Sequence, residues 1–173
     1  MTAREVANLL QMHIVTLYRL AERGQLPAFK VGKQWRFREE AIVEWAQLQE
    51  RRRVRVLVVD DEADVGQAMA ATLEPLGCLV TTCLTGEEAI SRARDVHFQL
   101  AFLDLKMTGM NGVEVMRELA RISPKTAVAI MTAYPTDKLV AEAAGLGPVT
   151  ILIKPFDMSV LERIVQPLLA QEA

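Results

Sequence analysis

Only two cysteines occur in the 173 residues, Cys78 and Cys83, and neither sits in the paired Cys-x-x-Cys spacing of a zinc site. Each flanks an apolar run and reads as a small buried residue in a reducing compartment, so a cytoplasmic protein is expected. No apolar stretch approaches the ~20 residues that cross a bilayer, and no membrane partner is expected. The opening "MTAREVANLLQ" carries charges at helical spacing and does not read as a signal peptide. Internal repeats and low-complexity segments are also missing. What is present is a chain that is 51% apolar, enough for a packed core and against wholesale disorder.

The formal net charge of −2 conceals two halves of opposite sign. Residues 1–53 hold 10 Lys/Arg and 6 Asp/Glu, a balance of +4, whereas residues 54–173 hold 10 and 16, a balance of −6. This asymmetry predicts two modules with different partners, the basic one suited to nucleic acid. The seam falls in "QLQERRRVRVL", which predicts a small domain over 1–49, a linker over 50–53 and a larger domain over 54–173.

In the basic half, "TARE" is a Thr-x-x-Glu capping box at Thr2, followed by the apolar face of Val6, Leu9 and Leu10. A second helix is predicted from about Ile14 to Arg23, with Leu17 and Leu20 inward and Gly24 as its stop. "PAFKVGKQWRFR" reads as a hairpin around Gly32-Lys33. A third helix, Glu39 to about Gln49, turns Ala41, Ile42 and Trp45 inward; Trp35 and Phe37 also read as core. Two helices, a hairpin and a helix make a small winged helix-turn-helix plan.

Downstream, apolar runs at 54–59, 79–83, 98–103, 126–131 and 149–153 alternate with helical patterns. These cover Ala63–Glu74, Gly86–Asp95 (behind a Thr85-x-x-Glu88 capping box), Gly112–Arg121, Asp137–Ala144 and about Met158–Leu169. Pro167 is expected to distort the last of them. Such alternation predicts an α/β fold, a parallel sheet covered on both faces.

All strand C-termini of a parallel sheet lie along one edge, where ligands bind. The runs end as VLVV-Asp60-Asp61, QLAFL-Asp104, AVAIM-Thr132 and TILI-Lys154. Three carboxylates, a hydroxyl and an ammonium are therefore expected to converge. Crowded carboxylates repel unless protonated or neutralised by a cation. An all-oxygen set suits Mg²⁺, which shares its shell with waters and phosphate. Lys154 suits a phosphoryl oxygen, Thr132 can donate to another, and an Asp beside a divalent cation can act as a nucleophile. "VVDDEADVG" lacks the Gly-x-Gly-x-x-Gly turn of a dinucleotide site.

Through "VLVVDDE", "LDLKMTGMNG", "MTAY" and "LIKPF", residues 54–173 resemble a response-regulator receiver domain over nearly their whole length. The resemblance implies a flavodoxin-like, five-stranded doubly wound parallel sheet of order 2-1-3-4-5. It implies Asp104 as phosphoacceptor, with Mg²⁺ held by Asp60, Asp61, Asp104 and the backbone carbonyl of Lys106. Thr132 and Lys154 would contact the phosphoryl group, and the Lys154-Pro155 bond would be cis. The phosphodonor would be a histidine kinase. Two positions depart from the family pattern: Thr108 stands where proline is usual, and Ile151 occupies the aromatic switch position, so no ring can rotate there. Tyr134 and Lys106 fall where flanking residues tune the lifetime of the phosphoryl group.

Residues 1–49, through "TAREVANLL" and "TLYRLAERGQLPAFKVGKQWRFREEAIVEW", resemble the excisionase-type winged helix-turn-helix, a relative of the MerR DNA-binding fold. His13 stands where that family commonly has a capping Ser; alone on a small helix it reads as structural or solvated, and His97 as a surface loop residue. On physical grounds Thr16, Tyr18, Arg19 and Arg23 of the second helix could enter the major groove. Lys30, Lys33, Arg36 and Arg38 on the hairpin could hold flanking phosphates. Arg51 to Arg53 read as a soluble linker. The expected whole is a two-component regulator rather than an enzyme, binding double-stranded DNA, with a phosphorylation-dependent homodimer as one natural output. The alternative is a phosphorelay or scaffold protein whose winged helix docks a protein partner.

Overall fold

The computed structural model describes residues 1–51 and 53–172. The chain divides into two compact units, Met1–Arg52 and Arg53–Ala173. Arg52, part of the expected linker, lies outside the described residues. Among the described residues no helix is long and apolar enough to cross a membrane.

The first unit begins with α1 (Ala3–Leu9), started by the Thr2–Glu5 capping box. The second helix, α2 (Ile14–Glu22), is capped by His13, whose Nδ1 accepts the Val15 N–H at 3.3 Å. The imidazole thus does the work expected of a serine, a structural role for His13. Gly24, at φ +69°, ends the helix in the left-handed conformation that glycine adopts without strain. β1 (Phe29–Val31) and β2 (Gln34–Arg36) pair antiparallel around Gly32, and α3 (Glu39–Arg51) runs two residues beyond the expected end.

Val6, Leu17, Ala21, Leu26, Phe37 and Ile42 form the core of this unit. Leu9, expected inward, is exposed, and Trp35 and Trp45 are half-buried at its margin rather than inside it. Trp45 keeps its edge outward because its Nε1–H donates to the Gln25 carbonyl at 2.8 Å.

In the second unit β3 (Arg55–Val59), β4 (Leu79–Cys83), β5 (Leu100–Asp104), β6 (Ala127–Thr132) and β7 (Thr150–Ile153) form one parallel sheet. Its order is β4-β3-β5-β6-β7, which is 2-1-3-4-5 in this unit's own count. Helices α4 (Ala63–Leu73), α5 (Gly86–Asp95), α6 (Gly112–Ile122), α7 (Lys138–Leu146) and α8 (Ser159–Glu172) make the connections and close the chain. Two apolar clusters cover the two faces: Leu57, Val59, Leu103, Ile130 and Leu119 on one, Val56, Val58, Phe102, Met131 and Leu161 on the other. That division explains why β3 and β5 are continuous apolar runs, since neither face meets water. Cys78 and Cys83 are buried and unbridged.

Two helix ends differ from expectation. Asp137 is not the first residue of α7 but its cap, its Oδ1 accepting the Leu139 N–H at 3.0 Å. α8 holds Pro167 inside it and runs three residues past the expected end at Leu169, to Glu172, with Leu168 and Leu169 packed against the apolar cluster.

Phe37 is 2% exposed at the centre of the small core. Truncating such a residue costs about 3–5 kcal/mol, against roughly 3–8 kcal/mol for a whole module of this size. Phe37→Ala is expected to unfold the first unit while the second keeps its dispersed amide spectrum, as ¹H–¹⁵N NMR of the full chain would show.

Candidate functional site

Register brings the predicted residues together. Val59 pairs with Leu103, Asp104 with Met131, and Thr132 with Ile153. Asp60 therefore leaves β3 beside Asp104, and Lys154 follows β7 beside Thr132, its N–H donating to the Thr132 carbonyl at 2.8 Å. The Lys154 ammonium reaches back across the edge to Asp60 Oδ2 at 2.7 Å and Asp104 Oδ1 at 3.4 Å. Carboxylate oxygens of Asp60, Asp61 and Asp104 all lie within 4.8 Å of one another. Asp60 and Asp104 are buried and Asp61 is exposed.

Each group is held by its neighbours. Asp60 Oδ1 accepts the Glu62 N–H at 2.9 Å, which fixes the turn into α4. Thr132 is buried, and its hydroxyl accepts the Tyr134 N–H at 3.0 Å, leaving its own proton to donate. The Lys154-Pro155 bond is cis. Gly112 opens α6 directly against β5: a Cβ there would fall on the Asp104 carbonyl oxygen and crowd the Leu105 Cα at 3.0 Å. No other residue lets the helix approach so closely. Gly112 is thus a positioning residue that pattern reading passed over, although a glycine at the first helical position after Asn111 was its visible signal.

Electrostatics follow from burial. Desolvation raises the Asp104 carboxyl to about 6; Lys154 pulls it back, and the negative charges of Asp60 and Asp61 push it further up. Burial alone would lower the Lys154 ammonium, but the hydrogen bond to Asp60 and the charges of Asp104 and Asp60 together raise it. Lys154 is thus firmly cationic, and the acid pair is only partly compensated by it.

Lys106 points elsewhere. Its ammonium pairs with Asp137 Oδ2 at 2.8 Å and sits 4.3 Å from the centre of the Tyr134 ring. The loop after β5 is thereby tied to the cap of α7, a link that sequence pattern did not reveal. Ile151 is 38% exposed on β7.

In the first unit, Tyr18 of α2 and Lys30, Lys33 and Arg36 of the hairpin line one groove of about 680 Å³ together with Arg4 of α1. Arg4 was not among the residues expected from sequence. Lys30 stacks on Trp35 at 4.8 Å, Arg38 lies 6.0 Å from the Phe29 ring centre, and Arg36 donates to Gln34 Oε1 at 2.7 Å. Arg19, Arg23 and Arg38 are exposed outside the groove lining, and Thr16 is half-buried. His97 is exposed, with Nδ1 2.8 Å from Ser123 Oγ.

Residues 56–166 match the response regulator receiver domain, and residues 1–49 match a helix-turn-helix domain. The chain belongs to the response regulator receiver family. The receiver is similar to the transcriptional regulatory protein ZraR of Salmonella typhimurium, 30% identical over 120 residues, covering 69% of this chain and 27% of that protein. The chain therefore spans about a quarter of that relative's length. In structure it is similar to chemotaxis protein CheY4 of Vibrio cholerae (27% identity, TM-score 0.62), covering 67% of this chain and 98% of that one. It is also similar to response regulator TrrA of Thermotoga maritima, solved in complex with Mg²⁺ and BeF (28% identity, TM-score 0.56, 66% and 98% covered). The chain is thus a receiver joined to a helix-turn-helix module, and curated relatives of its receiver are named as regulatory proteins.

A carboxyl whose folded pKa, about 6, exceeds its ordinary value of 3.8 binds protons more tightly when folded. The contribution of Asp104 to stability is therefore greatest at low pH and is lost as pH rises from about 4 to about 6. Without metal, Asp104→Asn is expected to raise the thermal midpoint above about pH 6. The gain fades as the wild-type carboxyl protonates, and parallel melts across this range check it.

Proposed function

We propose that the chain is a two-component response regulator in which phosphorylation of Asp104 controls DNA binding by the helix-turn-helix module. The observation that carries this reading is the meeting of Asp60, Asp104 and Lys154, from three separate strand ends, in one pocket. The Asp104 carboxylate attacks the phosphorus of a histidine kinase's phosphohistidine. A P–O bond forms, the P–N bond breaks, and the imidazole leaves. Lys154 holds one phosphoryl oxygen, and the Thr132 hydroxyl donates a hydrogen bond to another.

The donor set fits Mg²⁺: three carboxylate oxygens within one ion's reach, two of them buried, and one exposed side chain that leaves the site open to water. Asp60, Asp61, Asp104 and the Lys106 carbonyl would hold the ion, which supplies positive charge against the transferring phosphoryl oxygens.

The added charge at Asp104 draws on Lys154 and Thr132 and biases the surface around α7, β7 and α8. The reading takes residues 1–49 as the DNA module, 50–53 as linker and 54–173 as receiver, in the cytoplasm. Tyr18, Arg19 and Arg23, with half-buried Thr16 behind them, face the bases. Lys30, Lys33, Arg36 and Arg38 hold phosphates. A small single module binds weakly, so a phosphorylation-dependent homodimer on half-sites one helical turn apart is the natural output.

Treatment with acetyl phosphate and Mg²⁺ is expected to add about 80 Da to the wild type and nothing to Asp104→Ala by intact mass. Mg²⁺ is expected to raise the melting temperature of the wild type but not of Asp61→Asn, whose exposed site leaves the core intact. Absence of both effects removes the receiver chemistry.

Binding to a genomic duplex library is expected to weaken steeply with salt, and less steeply for Lys33→Ala and Arg36→Ala. Indifference to salt and to both substitutions would leave protein docking as the role of the first unit.

A further inference from the structure

One face of α2 is built outward, and it begins with an apolar residue. Val15, Tyr18, Arg19, Glu22 and Arg23 follow the i, i+3, i+4, i+7, i+8 spacing of a single helical strip, and all five are exposed. Leu17 and Ala21, on the opposite side, are buried. At 65% exposure Val15 is the most exposed large hydrophobic side chain among the described residues. A β-branched residue in the first turn of a helix lowers helix propensity and, left in water, gains no burial in return. Its place is nevertheless fixed, because its N–H is the one held by the His13 cap at 3.3 Å. Thr16, the neighbour with hydrogen-bonding capacity, is half-buried instead.

The surroundings select the occupant. Tyr18 shares its groove with Arg4, Lys30, Lys33 and Arg36, four cations against the single carboxylate of Glu22. That balance complements a polyanion rather than a neutral protein surface. A helix of this type presents its N-terminal residues to base edges in the major groove. Valine has no donor or acceptor, so it distinguishes bases only by apolar contact. Thymine alone offers a methyl group there. Duplex RNA, with uracil and a deep narrow major groove, offers neither the group nor the access.

Resting on the DNA-binding reading above, we propose that Val15, flanked by Tyr18, is a specificity-determining residue that reads a thymine 5-methyl group. Arg19 lies four residues on, about 6 Å along the helix axis.

The test uses the full chain, with and without acetyl phosphate and Mg²⁺. Duplexes are selected from a randomised library, and the enriched duplex is remade with each thymine replaced singly by uracil. Losing the methyl at one or two positions is expected to weaken wild-type binding about fourfold, the worth of one buried methyl group. Val15→Ala is expected to bind about that much more weakly and to become indifferent to the same replacement. Val15→Thr, which keeps one methyl and the shape, retains the sensitivity. Because Val15 lies outside the core, all three proteins are expected to melt alike. Enrichment of a motif with no uracil effect, or an undiminished effect in Val15→Ala, overturns the role of Val15 and leaves DNA binding standing. Failure to enrich any duplex overturns both.

Discussion

The contact on which the second unit turns is the Lys154 ammonium between Asp60 and Asp104. Asp60 has a fully buried side chain and Lys154 one that is 19% exposed, so both charges have given up most of their water. Desolvation of that kind is seldom repaid by attraction alone; well-packed apolar replacements are often as stable or more so. The contact is therefore poor evidence of a stabilising clamp. A second acid at 3.4 Å from the same ammonium makes the point sharper, because one cation cannot neutralise both. The remaining negative charge is an invitation to a metal ion and a raised energy that a ligand can relieve.

Around this centre the loops are joined by weaker means. Lys106 and Asp137 pair at 2.8 Å, but the lysine is half exposed, and solvent screening keeps such surface pairs weak. Tyr134 adds a ring face to Lys106 and a backbone N–H to Thr132. These contacts hold the loop after β5 against the cap of α7 without locking it. With Ile151 where the family places an aromatic ring, these contacts join the acid edge to α7.

The strand ends were legible because two simple rules coincide there: a run buried on both faces must be apolar, and the first polar residue after it marks the edge. The sheet order came through resemblance, and register then follows from the same runs. Legibility faded where a single side chain decides the outcome. Whether His13 caps a helix depends on where its Nδ1 lies relative to one N–H, which no periodicity encodes. Leu9 carries a helical apolar spacing, yet a helix of seven residues has too little surface to bury it. Trp35 and Trp45 look like core by composition, but a module this small leaves large rings at its margin. Pro167 breaks the helical rule locally, and the apolar residues beyond it outweigh the rule. Gly112 and the Lys106–Asp137 pair depend on how closely separate segments approach, a property of the folded chain alone.

The Lys154–Asp60 contact also closes a loop of 94 residues. Contacts between such distant parts of a chain form late, since the intervening segment must first surrender its freedom. All four other strands precede Lys154 in the chain, so until β7 docks, the acids of β3 and β5 stand side by side with no ammonium between them. The acid edge thus gains its cation only with completion of the sheet: a half-built domain has the carboxylates but not the ammonium set between them.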